Sequence, residues 1–360
     1  MEGISRFTFE IMKRVTADHK EHTFLFFFDR PFDPQFVFSD NVIPVVLFPP
    51  ARHPVLWYWY FEFAIPRALK KYNADLFIST DGWISLRTPV KTIQVLHDLH
   101  FVNSPESLPF LTKKYYQHFF PKFIRKANRI VTVSEFSRGE ISRTYEIQEN
   151  NLDVVPNSSR DEYRPLSIEE ISEIQKKYSK GCPYFLFIGP IHPRKNPEKI
   201  IEAFLKYKER TGGVEKLIIT GSAMWRNFGA INKSLLANSE SEIIFTGYLP
   251  DDELFKVTAG SYCLLYISLY EGFGIPILEA QSCGVPVITS DCSAMPEVAG
   301  GAAILVNPAE ADSITEAMIK IKNDPDLQNE LIRKGKSNLQ RYSWDNSSKK
   351  FWTIIEKMLN

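Results

Sequence analysis

The chain has 360 residues, enough for about two domains of roughly 150 residues, each large enough to bury its own core without disulfides or metals. Its 43 Lys and Arg balance 43 Asp and Glu, so no global field draws it to nucleic acid. An apolar share of 44% beside 24% charged residues excludes a disordered, collagen-like or disulfide-framework chain, and no apolar run reaches the roughly 18 residues of a membrane span.

Ile4, Phe7, Ile11 and Val15 repeat at helical spacing, so a helix opens the chain. Short β-branched or aromatic runs then alternate with helix-period segments, the pattern of parallel sheets with crossover helices. Strands are predicted in the first half at Thr23–Phe28, Val42–Phe48, Leu76–Ser79, Thr92–Leu96, Ile130–Ser134 and Leu152–Val155. In the second half they are predicted at Tyr184–Ile188, Lys216–Thr220, Ile243–Thr246, Cys263–Ile267, Val287–Thr289 and Ala303–Val306. The aromatic stretch from Trp57 to Pro66, followed by Arg67, Lys70 and Lys71, reads as a helix packed in a core with a solvated basic end. The alternative is a basic amphipathic segment lying on a bilayer. From Pro156 to about Lys180 there is no strand signal, only a loop and a charged helix over Ser167 to Tyr178. The domain boundary is expected there, giving domains of residues 1–163 and 164–343. A final helix, with Ser343 as its cap, carries Phe351, Ile354, Ile355 and Met358 on one face.

The N-terminal helix raises a difficulty. In a doubly wound sheet the first strand is central, beside the switch point where ligands bind. A helix in its place leaves unpaired backbone in mid-sheet, so a first strand is expected to be missing and to lie upstream of Met1. The alternative is a domain rearranged around a different first strand.

Three segments carry candidate chemistry. In Tyr270-Glu271-Gly272-Phe273-Gly274-Ile275-Pro276-Ile277-Leu278-Glu279-Ala280 a predicted strand feeds a glycine-flanked turn, with Pro276 opening a helix. The backbone N–H groups of such a turn suit a phosphate, and Glu271 and Glu279 can accept hydrogen bonds from sugar hydroxyls. Gly189-Pro190-Ile191-His192-Pro193-Arg194-Lys195-Asn196-Pro197 follows the first strand of the second half, with Asn196 read as the helix cap. Arg194 and Lys195 there can neutralise a diphosphate and stabilise a departing negative charge without a divalent ion. His97 and His100, in His97-Asp98-Leu99-His100 after the strand Thr92–Leu96, suit hydroxyl binding or proton transfer better than metal ligation, because no third ligand has a fitting spacing. Ser134 reads as a cap. No G-x-G-x-x-G follows a strand and no P-loop signature is present, which argues against a nicotinamide dehydrogenase or a P-loop nucleotidase. The four cysteines form no C-x-x-C pair and follow no secretory signal, so a reduced, cytosolic compartment is expected.

The segment from Glu271 to Pro308, with its two glutamates, resembles the retaining, family-4 type glycosyltransferases of the GT-B fold. The likeness extends to FIGPIHPRKNPEKIIEAF, VLHDLHF, IVTVSEFS and VVPNSS, and within the family it is to bacterial mannosyltransferases of cell-surface polysaccharide assembly. The resemblance implies two Rossmann-like domains facing a central cleft, with the helix of about residues 344–360 crossing back to the first. It implies that Glu271 holds donor sugar hydroxyls, Glu279 the ribose, and Arg194 and Lys195 the diphosphate. The backbone of Gly272, Phe273, Gly274 and Ile275, with Gly189, would cradle the donor, and His97 would contact the transferred sugar. The expected reaction is transfer of a hexose, mannose by resemblance, from a GDP- or UDP-linked donor to a glycan or lipid-linked acceptor, with retention and with neither cofactor nor metal. Peripheral association with the inner face of a membrane is part of that expectation, and nucleic acid is not an expected partner. A second reading is a non-catalytic nucleotide-sugar-binding protein whose N-terminal domain is truncated. A third is a GT-B epimerase or phosphorylase.

Overall fold

The structure is a computed structural model that describes residues 3–222 and 241–360. It divides into two compact units, one of Met1–Asn157 with Trp344–Asn360 and one of Ser158–Ser343. In the first unit the strands are β1 (Phe24–Phe28), β2 (Val42–Val46), β3 (Leu76–Ser79), β4 (Lys91–Val95), β5 (Arg129–Thr132) and β6 (Leu152–Val154). Its helices are α1 (Gly3–Asp18), α2 (Pro54–Trp59), α3 (Ile65–Lys71), α4 (His100–Asn103), α5 (Phe110–Lys126) and α6 (Glu135–Tyr145). In the second unit β7 (Tyr184–Ile188), β8 (Lys216–Thr220), β9 (Ile243–Gly247), β10 (Cys263–Tyr266), β11 (Val287–Ser290) and β12 (Ile304–Val306) alternate with helices. These are α7 (Ile168–Ser179), α8 (Pro197–Thr211), α9 (Asp251–Ala259), α10 (Ile275–Ser282), α11 (Met295–Ala299), α12 (Ala311–Asn323) and α13 (Pro325–Asn338). The chain closes with α14 (Trp344–Leu359) back in the first unit. Every strand predicted from the sequence forms, within two residues of its predicted ends.

The second unit is a six-stranded, all-parallel sheet in the order β12-β11-β10-β7-β8-β9. Every residue of β7, β10 and β11 is buried, as in strands covered on both faces, and the buried hydroxyls of Thr289 and Ser290 in β11 donate to the carbonyls of Tyr266 and Ser268. The chain leaves β7 toward β8 on one side and returns to β10 on the other. The switch point therefore lies between β7 and β10, and loops leaving their carboxyl ends face a ligand crevice. Ile200, Ile201, Phe204 and Tyr207, all fully buried, turn one face of α8 onto this sheet. At the start of α7, Ser167 and Glu170 form a reciprocal capping box, which ends the connecting loop where the sequence places the helix start. The unit itself begins earlier than the expected boundary after residue 163. Arg160 and Tyr163 are buried, and Arg160 pairs with Glu279, so residues 158–163 belong to the second unit.

In the first unit β3, β4, β5 and β6 form a parallel sheet, while β1 and β2 form a separate parallel pair. The aromatic stretch is helical throughout, α2 passing through one π-helical turn (Tyr60–Ala64) into α3. Tyr60, Phe61, Ile65 and Leu69 are buried in the core, and the Trp57 indole donates to the Ala51 carbonyl at 2.8 Å. Arg67, Lys70 and Lys71 stand in solvent, so this helix is a core element with a solvated basic end. Ser134 caps α6, accepting from the Ser137 N–H at 3.0 Å. α1 packs against α14: Phe7, Ile11 and Val15 are buried, as are Phe351 and Ile355, and Phe7 meets Phe351 edge-on at 6.2 Å. Replacing Phe351 with Ala is expected to cost about 3–5 kcal/mol. Calorimetry should show an earlier transition for the first unit and an unshifted one for the second.

Candidate functional site

The candidate site is built from the two loops that flank the switch point of the second unit. After β7, Gly189 takes a φ of +143°, a conformation that glycine adopts without strain, and the Lys195 side chain lies against it. A side chain at Gly189 would sit 3.3 Å from Lys195 Cε, so the glycine leaves the lysine its path. His192 caps a short turn, its Nδ1 accepting from the Arg194 N–H at 3.2 Å. Asn196 occupies the cap position of α8 as expected, but with φ +61°, and its amide donates to the Pro308 carbonyl at 2.7 Å rather than capping the helix.

After β10, the Leu269 N–H donates to the Arg194 carbonyl at 2.8 Å, which ties the two loops together. Glu271 then meets both cations, with Arg194 Nη1 2.8 Å from its Oε2 and Lys195 Nζ 2.6 Å from its Oε1. Arg194 also donates to the Tyr270 carbonyl at 2.9 Å, and Lys195 to the Tyr266 hydroxyl at 2.9 Å. The Glu271 N–H donates to Ser293 Oγ at 3.1 Å, fixing the turn from below. Only 8% of Glu271 and 7% of Lys195 is exposed while Arg194 is half-buried, so this is a largely buried triad with one net positive charge. Burial alone would raise the Glu271 carboxyl, but Lys195 and then Arg194 outweigh it and hold it at about 2. Burial would lower the Lys195 ammonium, and the facing Glu271 more than offsets it and raises it.

Gly272, Phe273, Gly274 and Ile275 make the turn into α10. Gly274 has φ +118°, and a Cβ there would press on Ile277 at 3.2 Å and on the Tyr266 ring at 3.3 Å. Phe273 is buried edge-on to Tyr342 at 5.7 Å, which anchors the turn. Pro276 stands at the start of α10, as its missing N–H allows. Glu279 is the fifth residue of α10, and it is held by a different cation. Arg160 Nε donates to Glu279 Oε1 at 2.8 Å, while its other nitrogens reach Asp251 at 3.1 Å and the Tyr163 hydroxyl. Burial works against the Arg160 charge, and Glu279 outweighs it and raises the guanidinium above its usual range.

Of the ten residues predicted for the site, nine thus lie in the loops and helix at this switch point. His97 belongs to the other unit. Its Nε2 lies 2.9 Å from the Thr80 carbonyl, which can only accept, so Nε2 carries the proton and Nδ1 the lone pair. Burial lowers its pKa against the opposing pull of the Thr80 carbonyl and of Asp98, so the ring is neutral at pH 7. Phe7 packs edge-on against it at 5.1 Å. Arg160, Tyr266 and Ser293 were not legible as site residues. Among the described residues no group of three or more His, Cys, Asp or Glu is arranged to hold a metal ion, and no helix is long and apolar enough to cross a membrane.

Comparison with known proteins fits this geometry. Residues 167–338 match the family described as glycosyl transferases group 1, and residues 1–159 match glycosyltransferase family 4. The chain is 30% identical over 298 residues to the O-antigen chain mannosyltransferase RfbU of Salmonella typhimurium, covering 81% of this chain and 77% of that one. It is 29% identical over 280 residues to the O-antigen chain mannosyltransferase B of Escherichia coli, covering 78% and 73%. The fold is also that of Anabaena Alr3699/HepE, solved in complex with UDP-glucose, with a TM-score of 0.76, 14% identity, and 99% and 96% of the two chains covered. The chain belongs to the family-4, group-1 glycosyltransferases, and its fold is GT-B.

Two predictions follow from the buried charges. The folded-state pKa of Glu271 lies below its value of 4.5 in the unfolded chain, so its contribution is complete above about pH 5 and is lost as pH falls toward 2. Glu271→Gln should therefore lower the melting temperature at about pH 7, and the gap to the parent should close progressively in acid. Arg160→Met leaves Glu279 buried without its cation and should cost about 3–5 kcal/mol. Denaturant unfolding of the double variant Arg160→Met/Glu279→Leu should recover most of that loss.

Proposed function

We propose that the protein transfers a hexose from a nucleoside-diphosphate sugar to a glycan or lipid-linked acceptor in cell-surface polysaccharide assembly, with retention and without a metal ion. The observation that carries this reading is the Arg194–Glu271–Lys195 triad at the switch point, its carboxylate buried, beside the Gly272–Ile275 turn. Mannose as the sugar rests on the two O-antigen mannosyltransferases. A nucleotide-linked donor, GDP- or UDP-linked, is supported by HepE, which holds UDP-glucose on the same fold.

In this reading the donor diphosphate takes the place of the Glu271 carboxylate on part of the Arg194 and Lys195 hydrogen-bonding surface. The carboxylate, ionised at all working pH values, then accepts from sugar hydroxyls. When the bond from the sugar anomeric carbon to the phosphate oxygen breaks, the leaving diphosphate gains a negative charge, and the two cations are already in place to stabilise it. The acceptor hydroxyl bonds to the anomeric carbon on the face the phosphate leaves, and its proton passes to a phosphate oxygen. Glu279 accepts from the ribose hydroxyls, with Arg160 holding the carboxylate still. The neutral His97 presents its Nδ1 as an acceptor for a hydroxyl of the transferred sugar. In this reading the protein is cytoplasmic and rests on the inner membrane face, with the exposed Phe48, Val55 and Trp59 as its apolar contact, which flotation with anionic liposomes would test.

The test pairs binding with turnover. Thermal unfolding with GDP, UDP and their sugars should show a shift for one nucleotide family, about 2.7 kcal/mol at a hundred times the Kd. Glu271→Ala should lower kcat on the order of a hundredfold with little change in nucleotide affinity. Glu279→Ala should weaken nucleotide binding about tenfold or more. His97→Ala should lower kcat and leave nucleotide affinity unchanged. Binding of donor without any transfer would favour a nucleotide-sugar-binding protein, and parental kinetics in both glutamate variants would reject the site.

A further inference from the structure

A lysine ammonium carries three N–H donors on a flexible four-carbon stem, so a single acceptor leaves it free to swing. Lys195 has two. Its Nζ lies 2.6 Å from Glu271 Oε1 and 2.9 Å from the Tyr266 hydroxyl oxygen, and among the described residues these are its polar partners. Two acceptors from different elements hold the nitrogen in place and give the third N–H one direction.

The two partners differ in what a ligand does to them. In the donor-bound state proposed for this site, the Glu271 carboxylate turns in part to sugar hydroxyls, and Lys195 loses its hold on that side. The Tyr266 hydroxyl stays where it is. It is a neutral acceptor, because burial and then the Glu271 charge push its pKa up against the pull of Lys195. A neutral oxygen orients the ammonium without cancelling the charge that a diphosphate is to meet, which a second carboxylate would do.

The ring has little freedom of its own. Tyr266 is buried in β10, and its carbonyl accepts from the Thr289 hydroxyl of β11 at 2.7 Å. One ring edge lies where a Cβ at Gly274 would come within 3.3 Å. The same side chain thus touches both loops of the site, with its hydroxyl on Lys195 after β7 and its ring against the turn after β10. We infer that Tyr266 is a positioning residue for sugar transfer: its hydroxyl holds Lys195 while Glu271 releases it, so that an N–H stays aimed at the phosphate oxygen on which negative charge develops. The inference rests on the nucleotide-sugar reading of the site and adds to it the group that keeps the cation fixed as the bond breaks.

The test compares the full chain with Tyr266→Phe, which keeps the ring and removes the acceptor, with Lys195→Met, and with the two combined. Tyr184→Phe is the control, since it removes another buried tyrosine hydroxyl of the same unit, one that donates to the Val257 carbonyl at 2.7 Å. Without ligand, nitrogen-15 NMR of the lysine ammonium groups, with Lys195 assigned by its loss in Lys195→Met, should show its protons exchanging with water about tenfold faster in Tyr266→Phe. Turnover is read as release of UDP or GDP from UDP-glucose or GDP-mannose, with water as acceptor. Tyr266→Phe should lower kcat on the order of tenfold or more and change KM for the sugar nucleotide less than about threefold, as loss of a hydrogen bond to a charged group in the transition state requires. On the Lys195→Met background the same substitution should cost less than about twofold. Tyr184→Phe should lower the melting temperature and leave ammonium exchange and kcat at the parental values. Unchanged ammonium exchange, or parental kcat in Tyr266→Phe beside an active parent, would overturn the inference alone. A full loss repeated on the Lys195→Met background would also overturn it, since Tyr266 would then act apart from Lys195. A parent that neither binds nor cleaves either sugar nucleotide would instead reject the donor reading, and this inference with it.

Discussion

The second unit is organised around one buried carboxylate between two cations. Glu271 is out of water, and an isolated charge there would neutralise itself or unfold the loop. Arg194 and Lys195 prevent this, and each is held by a further contact, to the Tyr270 carbonyl and to the Tyr266 hydroxyl. The consequence is mutual: the carboxylate keeps two positive charges fixed in a dry crevice, ready for an anion that replaces part of its contact surface. The glycines at 189 and 274 follow from the same requirement. One leaves a path for the Lys195 side chain, and the other turns the backbone tightly enough to bring Glu271 and the start of α10 onto one loop.

Much of this was legible in the sequence because it is local. Runs rich in β-branched and aromatic residues, bounded by turn residues, mark all twelve strands of the described residues, although β4 and β11 bury Thr92, Gln94, Thr289 and Ser290 among their apolar neighbours. The Arg194–Lys195 pair and the Glu271 turn were readable because each directly follows a strand. Their contact with each other was not. Arg160 was missed because its partner, Glu279, is 119 residues away and no periodicity links the two. Tyr266 reads only as one residue of a buried strand, and its hydroxyl gains meaning once β7 and β10 lie side by side. Asn196 misled for a related reason: an Asn before a Pro is a strong cap signal, but the Pro308 carbonyl, far along the chain, is the partner it takes.

The two units solve the same topological problem to different degrees. The second closes its sheet with β7 at the centre, every backbone edge there paired on both sides. In the first, the helix pattern of Ile4, Phe7, Ile11 and Val15 announces α1, and β1 and β3 line a cavity of about 1160 Å³ whose walls carry Asp29 and Asp81 beside apolar side chains. That arrangement bears on stability more than on the triad, which lies wholly within the second unit.

The most direct measurement of the central claim is a crystal structure of the protein with a bound nucleoside diphosphate. The account predicts diphosphate oxygens within about 2.7–2.9 Å of Arg194 and Lys195 nitrogens, with the Glu271 carboxylate turned from at least one of them. A diphosphate seated elsewhere, with Glu271 still paired to both cations, would contradict it.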